Sequence, residues 1–322
     1  MYSIVSTAII RGISSIPVQV EADVSDGLPM FDMVGFLASE VKEARERVRT
    51  ALRNSGYRLP AKRITVNLSP ANIKKTGSAF DLPVAAAILA AFRIIPPENL
   101  TSILIVGEIG LNGKVQPVEG ILPIAAQARE HGFTHCMVPY ENRMEACMIK
   151  NIQTVAVKEI KDVIDYFTHP SSQKAFVMDT NEMFLSSKNI QNASDSNGQE
   201  LDFSQINGQR LVRRASEVAA AGMHNLLMVG PPGAGKTMIA QRIPTILPPM
   251  CEEEQLELAK IYSISGMLLH NSHLITKRPF RSPHHTITPQ GLAGGGKVPK
   301  PGEISLAHKG VLFVCETLCT AN

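Results

Sequence analysis

The chain has 322 residues, long for a single core, so two domains are expected. Hydrophobic residues at 44% and charged residues at 19% exclude a disordered polyelectrolyte, and a net charge of only +3 means that any nucleic-acid partner must be argued from local clusters. Five scattered cysteines give no disulfide framework, no stretch approaches the roughly 18 apolar residues of a membrane span, and Met1-Tyr2-Ser3-Ile4-Val5 lacks the features of an export signal, so a reduced cytoplasmic setting without a membrane is expected.

Ser3 to Ile10 and Val18 to Val24 predict strands, punctuated by Gly12 and Pro17. Glu40 to Ser55 predicts a helix stopped by Gly56, with Val41, Ala44, Val48, Ala51 and Leu52 on one apolar face. Its Arg45, Arg47, Arg49 and Arg53 interleave with Glu40, Glu43 and Glu46, which reads as a solvated charged face. Arg63 to Leu68 alternates like a strand. Asp81 to Phe92 predicts an apolar helix, with Asp81 near its start and Pro83 in its first turn. Ile103 to Val106 and Cys136 to Val138 predict short buried strands, and between them Ile121 to Glu130 predicts a helix closed by Gly132. Such alternation implies an α/β or α+β domain over residues 1–168. Residues 169–200, rich in Asn, Ser, Gln and Asp, read as a polar linker. A second domain, 201–322, opens with a helix over Gln209 to Ala220.

Within that second domain, Gly230-Pro231-Pro232-Gly233-Ala234-Gly235-Lys236-Thr237 fits the phosphate-loop pattern G-x-x-x-x-G-K-[ST]. His224 to Val229 before it predicts a buried strand, and Met238 to Ile243 after it the start of a helix. In this context glycines let backbone N–H groups converge on phosphate oxygens beside a helix N-terminus. Gly230 to Met238 are therefore the expected ATP contacts, with Lys236 on the β- and γ-phosphates and the Thr237 hydroxyl on Mg²⁺. Further on, Gly310-Val311-Leu312-Phe313-Val314 predicts a second apolar strand ending near an acid, Glu316. Such a strand normally ends in Asp-Glu, the Asp serving Mg²⁺ and the Glu the attacking water. Lys236 and Glu316 are the catalytic candidates.

The wording of this domain is similar to one family. Pro279-Phe280-Arg281-Ser282-Pro283-His284-His285-Thr286, then Gly294-Gly295-Gly296, then Pro301-Gly302-Glu303-Ile304-Ser305-Leu306-Ala307-His308 resemble the signature of the magnesium-chelatase-like AAA+ ATPases of the YifB/ComM type. Asp202-Phe203, Gly208-Gln209 and Ala219-Ala220-Ala221-Gly222 match as well, and by the resemblance Ile206 to Gln209 are candidates for base contacts. Where the family has Leu-Asp-Glu, this chain has Val314-Cys315-Glu316, and a neutral thiol is a poor ligand for a hard cation. The expectation is of an incomplete P-loop AAA+ αβα domain, truncated C-terminally at this strand, with a frameshift near Phe313 as one origin, and of ATP binding without efficient hydrolysis.

The first half resembles the Lon protease catalytic domain through Gly77-Ser78-Ala79-Phe80-Asp81 and the run Gly107 to Ile121. The resemblance puts Ser78 at the nucleophile and Leu122 where the lysine base belongs, and leucine accepts no proton. A Lon-protease-like α+β N-terminal domain without peptidase chemistry is expected. Lys74, Lys75 and Lys114 are the lysines nearby in sequence.

Other clusters are weaker. His270, His273, Cys315 and Cys319 can be drawn as a zinc set, but no zinc is expected, since the cysteines lie in the aberrant tail. Arg278, Arg281, His284, His285, Lys297 and Lys300 form a basic segment for which DNA phosphate contact and a solvated or inter-subunit loop both stand. By resemblance the chain is a homo-hexameric, DNA-remodelling ATPase of the ComM kind, linked to branch migration in natural transformation. The alternatives are a magnesium-chelatase subunit, a Ser/Lys peptidase, and a fragment in which only the first domain folds.

Overall fold

A hairpin starts the fold. β1 (Tyr2–Arg11) and β2 (Ser14–Ser25) pair antiparallel, Arg11 opposite Ser14, so two residues make the turn. Gly12 takes φ +63° there, the sign that tight hairpin turns favour and that glycine adopts without strain. The computed structural model describes residues 1–178, 201–268, 275–296 and 299–315. They fall into two units, the first made of 1–178 with 263–268, the second of 201–262 and the described residues from 275 onward.

The first unit is built on a seven-stranded sheet of order β3-β4-β2-β1-β5-β8-β9. The added strands are β3 (Met30–Val34), β4 (Arg63–Ser69), β5 (Ile103–Ile105), β8 (His135–Pro139) and β9 (Gln153–Val157). β6 (Glu108–Ile109) and β7 (Val115–Gln116) form a separate two-stranded ribbon. β4 and β1 run antiparallel to β2, whereas the β3-β4, β1-β5, β5-β8 and β8-β9 pairs are parallel. Parallel neighbours need crossovers: α1 (Ser39–Asn54) joins β3 to β4, α3 (Ile121–Glu130) joins β5 to β8 and the short α4 (Arg143–Ala146) lies between β8 and β9, while α2 (Asp81–Ala91) leads from β4 toward β5. The largest core joins α1, α2 and α5 (Ile160–Thr168) to Ile103, Ile105, Met137, Val155 and Val157. Strand alternation turns Leu104, Cys136 and Val138 to the opposite face, and α3 packs against β1, β2 and β8.

The expected strands and helices of this half are present, each within a few residues of its predicted bounds. β3, β9 and α5 were not expected. α5 is opened by a reciprocal capping box between Glu159 and Asp162, a signal readable in the sequence.

α2 has no polar face: all its residues are buried, Asp81 included. The Ser3 hydroxyl ties β1 to it by donating to the Ala87 carbonyl at 2.6 Å. A buried carboxylate needs a partner, and Arg47 on α1 supplies one in a bidentate pair, Nε to Oδ2 at 2.8 Å and Nη2 to Oδ1 at 2.9 Å. Arg47 therefore leaves the solvated face expected of it. Burial pushes the Asp81 carboxyl above its ordinary value, and the Arg47 guanidinium pulls against that rise.

Arg47→Ala is expected to destabilise the first unit by about 3 kcal/mol near neutral pH, because it strands a buried charge. With Asp81 raised in the folded state, the folded chain holds the extra proton, so stability falls as pH climbs from the ordinary 3.8 through the shifted value. The loss should thus be smallest in acid. Urea unfolding followed by circular dichroism across this range reads it, and a pH-independent loss below about 0.5 kcal/mol would contradict the role.

Candidate nucleotide-binding site

In the second unit, Arg210–Gly222 is a helix bracketed by left-handed residues, Gln209 at φ +46° and Met223 at φ +53°. A small core of Phe203, Ile206 and Ile239 packs with Val212, Met228 and Ile246. The segment 224–229 corrects the strand expectation. It lies in no ladder, and Leu227 and Val229 are 87% and 88% exposed. A strand patterned for burial needs neighbours on its edges. The predicted second strand, seen as Val311–Leu312, pairs in parallel with Phe280–Arg281 instead. Between Leu226 and Met228 on one side and Val311 to Phe313 on the other lies a cavity of about 370 Å³.

The phosphate loop follows. Gly233 (φ +82°) and Gly235 (φ +81°) are left-handed, so a side chain at either would be strained, and this leaves the backbone free to curl. Lys236 begins a helix that ends at Ala240, shorter than the predicted run to Ile243, because Pro244 has no N–H for the Ala240 carbonyl. The Lys236 ammonium donates to the Gly230 carbonyl at 2.7 Å and the Pro231 carbonyl at 2.9 Å. The lysine is folded over its own loop, its charge held by neutral acceptors. Gly230, Pro231, Pro232 and Gly233 are exposed, Ala234, Gly235 and Lys236 half-buried, and Thr237 and Met238 exposed. Glu316 lies outside the described residues. Cys315 is exposed, and among the described residues no group of three His, Cys, Asp or Glu gathers.

Beside the loop is a cleft of about 280 Å³ lined by Gln209, Leu211, Val212, Val229, Ala234 and Lys236, among others. Apolar walls next to a cationic loop suit a flat base attached to phosphates. Of the proposed base contacts, Gln209 reaches this cleft, whereas Ile206 is fully buried in the core. The apolar wall of Leu211, Val212 and Val229 was not anticipated.

The downstream basic segment is tied into the unit. The Arg278 side chain is 5% exposed and donates to the Pro248 and Lys309 carbonyls and to Glu254. Arg281 pairs with both oxygens of Glu303 at 2.6 Å. Both guanidiniums therefore serve as internal braces. His284 and His285 lie with ring centres 4.1 Å apart, tilted by 38°. His270, His273, Lys297 and Cys319 lie outside the described residues.

In the first unit, Ser78 donates to the Glu108 carboxylate. The loop carrying it is laddered to the start of β6: Gly107 N–H donates to the Ala79 carbonyl and Leu82 N–H to the Gly107 carbonyl, both at 3.0 Å. Leu122 is fully buried in the first turn of α3, its N–H donating to Glu145 at 3.0 Å. Glu145 is itself buried, which pushes its carboxyl up, and Ser263 and Asn142 also donate to it. Lys75 is buried with its ammonium on the Pro70 carbonyl, Lys74 is exposed, and Lys114 is exposed on the loop before β7. The hydrogen bond of Ser78 thus goes to an acid and not to an amine. No helix among the described residues is long and apolar enough to cross a membrane.

Two family models match, both described as the ChlI subunit of magnesium chelatase, one over residues 20–142 and the other over 202–320. A protein called YifB from Salmonella typhimurium is 41% identical over 319 residues, 98% of this chain and 59% of that protein. Competence protein ComM from Haemophilus influenzae is 40% identical over 305 residues, 95% of this chain and 58% of its own length. Lon protease 2 from Bacillus subtilis is 33% identical over 147 residues, 45% of this chain and 26% of that enzyme. The chain thus spans less than two thirds of the length of YifB and ComM.

Fold and comparisons together define a mixed α/β chain with a Lon-like half and a magnesium-chelatase-like half. Within that class the chain belongs to the YifB/ComM family.

Ser78 is expected to remain unlabelled by a fluorophosphonate serine-hydrolase probe under conditions that label an active Ser/Lys peptidase, because labelling needs an activated hydroxyl. Labelling that disappears in Ser78→Ala, together with casein cleavage, would contradict this.

Proposed function

We propose that this chain binds ATP with Mg²⁺ through Gly230 to Met238. The observation that carries the reading is the Lys236 ammonium folded onto the Gly230 and Pro231 carbonyls, with left-handed Gly233 and Gly235 beside it. A cation satisfied only by neutral carbonyls gains when phosphate oxygens replace them. Lys236 would hold the β- and γ-phosphates, the exposed Thr237 hydroxyl would join Mg²⁺, and Gln209 with the apolar cleft would take the base. Mg²⁺ would neutralise the charge developing on the phosphates. Glu316 is the proposed residue for orienting the attacking water, and Cys315 in the magnesium-ligand position is expected to keep turnover by this chain low.

Three segments go with this reading: 1–168 Lon-like, 169–200 linker, 201–322 ATPase part. The broader activity follows from ComM. We infer a DNA-remodelling motor of that kind, a cytoplasmic homo-hexamer with ATP between subunits and DNA as its track. A magnesium-chelatase subunit is the second reading, supported by the description of both family models. The match of 45% of the chain to a Lon protease favours the first.

Isothermal titration of the whole chain with MgATP, alongside Lys236→Ala, tests the cradle. Affinity should fall at least tenfold in the variant while the melting temperature of the free protein stays unchanged. Equal affinity in both proteins would remove the P-loop from the account.

A further inference from the structure

A second charged site lies in the first unit. Pro29, Met30 and Phe31 at the start of β3, Arg49 and Arg53 on α1, and the segment 57–62 line a cavity of about 330 Å³. Its floor is apolar: Phe31 and Ile64 are buried, and Tyr57 and Leu59 are half-buried. Its rim is cationic. Arg49 and Arg53 are four residues apart and so share one face of α1, and Arg58 meets them from the loop beyond.

The state of these arginines sets them apart. Arg45 donates to Glu46 and to the Phe31 carbonyl, Arg47 grips Asp81, and Lys62 pairs with Asp26. The guanidiniums of Arg49, Arg53 and Arg58 have no hydrogen bond or ion pair among the described residues. The acids of α1 lie at Glu40, Glu43 and Glu46, and from Val48 to Asn54 the helix carries none. Beside Tyr57, Asp165 and Glu159 are the acids felt by its hydroxyl. Like charges gathered around one cavity repel each other, so a polyanion entering it is favoured. Guanidiniums match phosphate bidentately, while an aromatic wall offers a stacking surface that tolerates any base.

We propose that this cavity binds a nucleotide unit, its phosphate on Arg49, Arg53 and Arg58 and its base against Tyr57 and the Met30–Phe31 wall. The unit can come from a single-stranded polynucleotide or from a free nucleotide. The site does not rest on the ATP reading, and the test removes the P-loop from the outcome.

The test uses the full chain carrying Lys236→Ala. Fluorescence anisotropy of a labelled twelve-residue oligothymidylate is measured from 50 to 300 mM salt, with adenosine monophosphate as competitor. Adding Arg49→Gln, Arg53→Gln and Arg58→Gln together should weaken binding at least tenfold at low salt and flatten its salt dependence, by about 0.7 in the log–log slope for each phosphate the arginines no longer neutralise. Tyr57→Leu should weaken it several-fold without changing that slope. Circular dichroism melts check that the fold survives. Competition by the monophosphate at micromolar concentration would assign the site to free nucleotides, and its failure to compete below millimolar would assign it to a strand. Undiminished oligonucleotide binding in the triple variant, or no binding by the parent at 50 mM salt, would overturn the proposal.

Discussion

The first unit depends on enclosing a helix that has nothing to show water. α2 is apolar throughout except for Asp81 at its start, and every one of its residues is buried. Such a segment folds only if layers close over it, which the β1–β2 hairpin and α1 do. The one charge it carries into the interior is then admissible because Arg47 reaches across from α1 in a two-point pair. The loop leading into α2 is fixed at the same place. Asp81 also accepts weakly from the Ile109 N–H at 3.4 Å, and Ser78 is held to Glu108. Ser78 is thus part of the joinery around a buried carboxylate.

The second unit follows a different constraint. A phosphate loop needs backbone that can curl and a lysine near it, and both are present where the described residues form only two-stranded sheets. The segment leading into the loop is unladdered, and the short strand Val311–Leu312 runs beside Phe280–Arg281. Polar ties brace this unit beside its small apolar core: Arg278 and Lys309 on Glu254, Arg281 on Glu303, and the Tyr262 hydroxyl on the Leu306 carbonyl at 3.0 Å. Gly310 sits so close to the Pro279 carbonyl that a Cβ would meet its oxygen at 2.1 Å, so the turn into Val311 tolerates no side chain. The signature residues shared with the family thus divide into those that shape the loop and those that brace the frame.

Much of this was legible in the residues. Periodicity located α1, α2, α3 and the hairpin strands, since amphipathic or wholly apolar runs report burial directly. The glycine and lysine spacing located the phosphate loop, since only certain residues allow that backbone. Partnerships were not legible. Nothing in the spacing of Arg47 and Asp81, 34 residues apart, announces a pair, and nothing in Arg278 or Arg281 separates a brace from a DNA contact. The strand over 224–229 failed for a related reason: a strand is a property of two segments, and its apolar pattern describes only one. β3 was missed because Phe31 alone of its five residues is buried, so no alternation marks it, whereas β9 carries a readable run, Val155-Ala156-Val157, that was passed over.

The most direct test of the central claim is a crystal structure of the chain with MgATP. The account predicts that the Lys236 ammonium leaves the Gly230 and Pro231 carbonyls for the β- and γ-phosphates, with the adenine in the cleft lined by Gln209 and Val212. Nucleotide bound elsewhere, or bound with Lys236 still on its own loop, would contradict it.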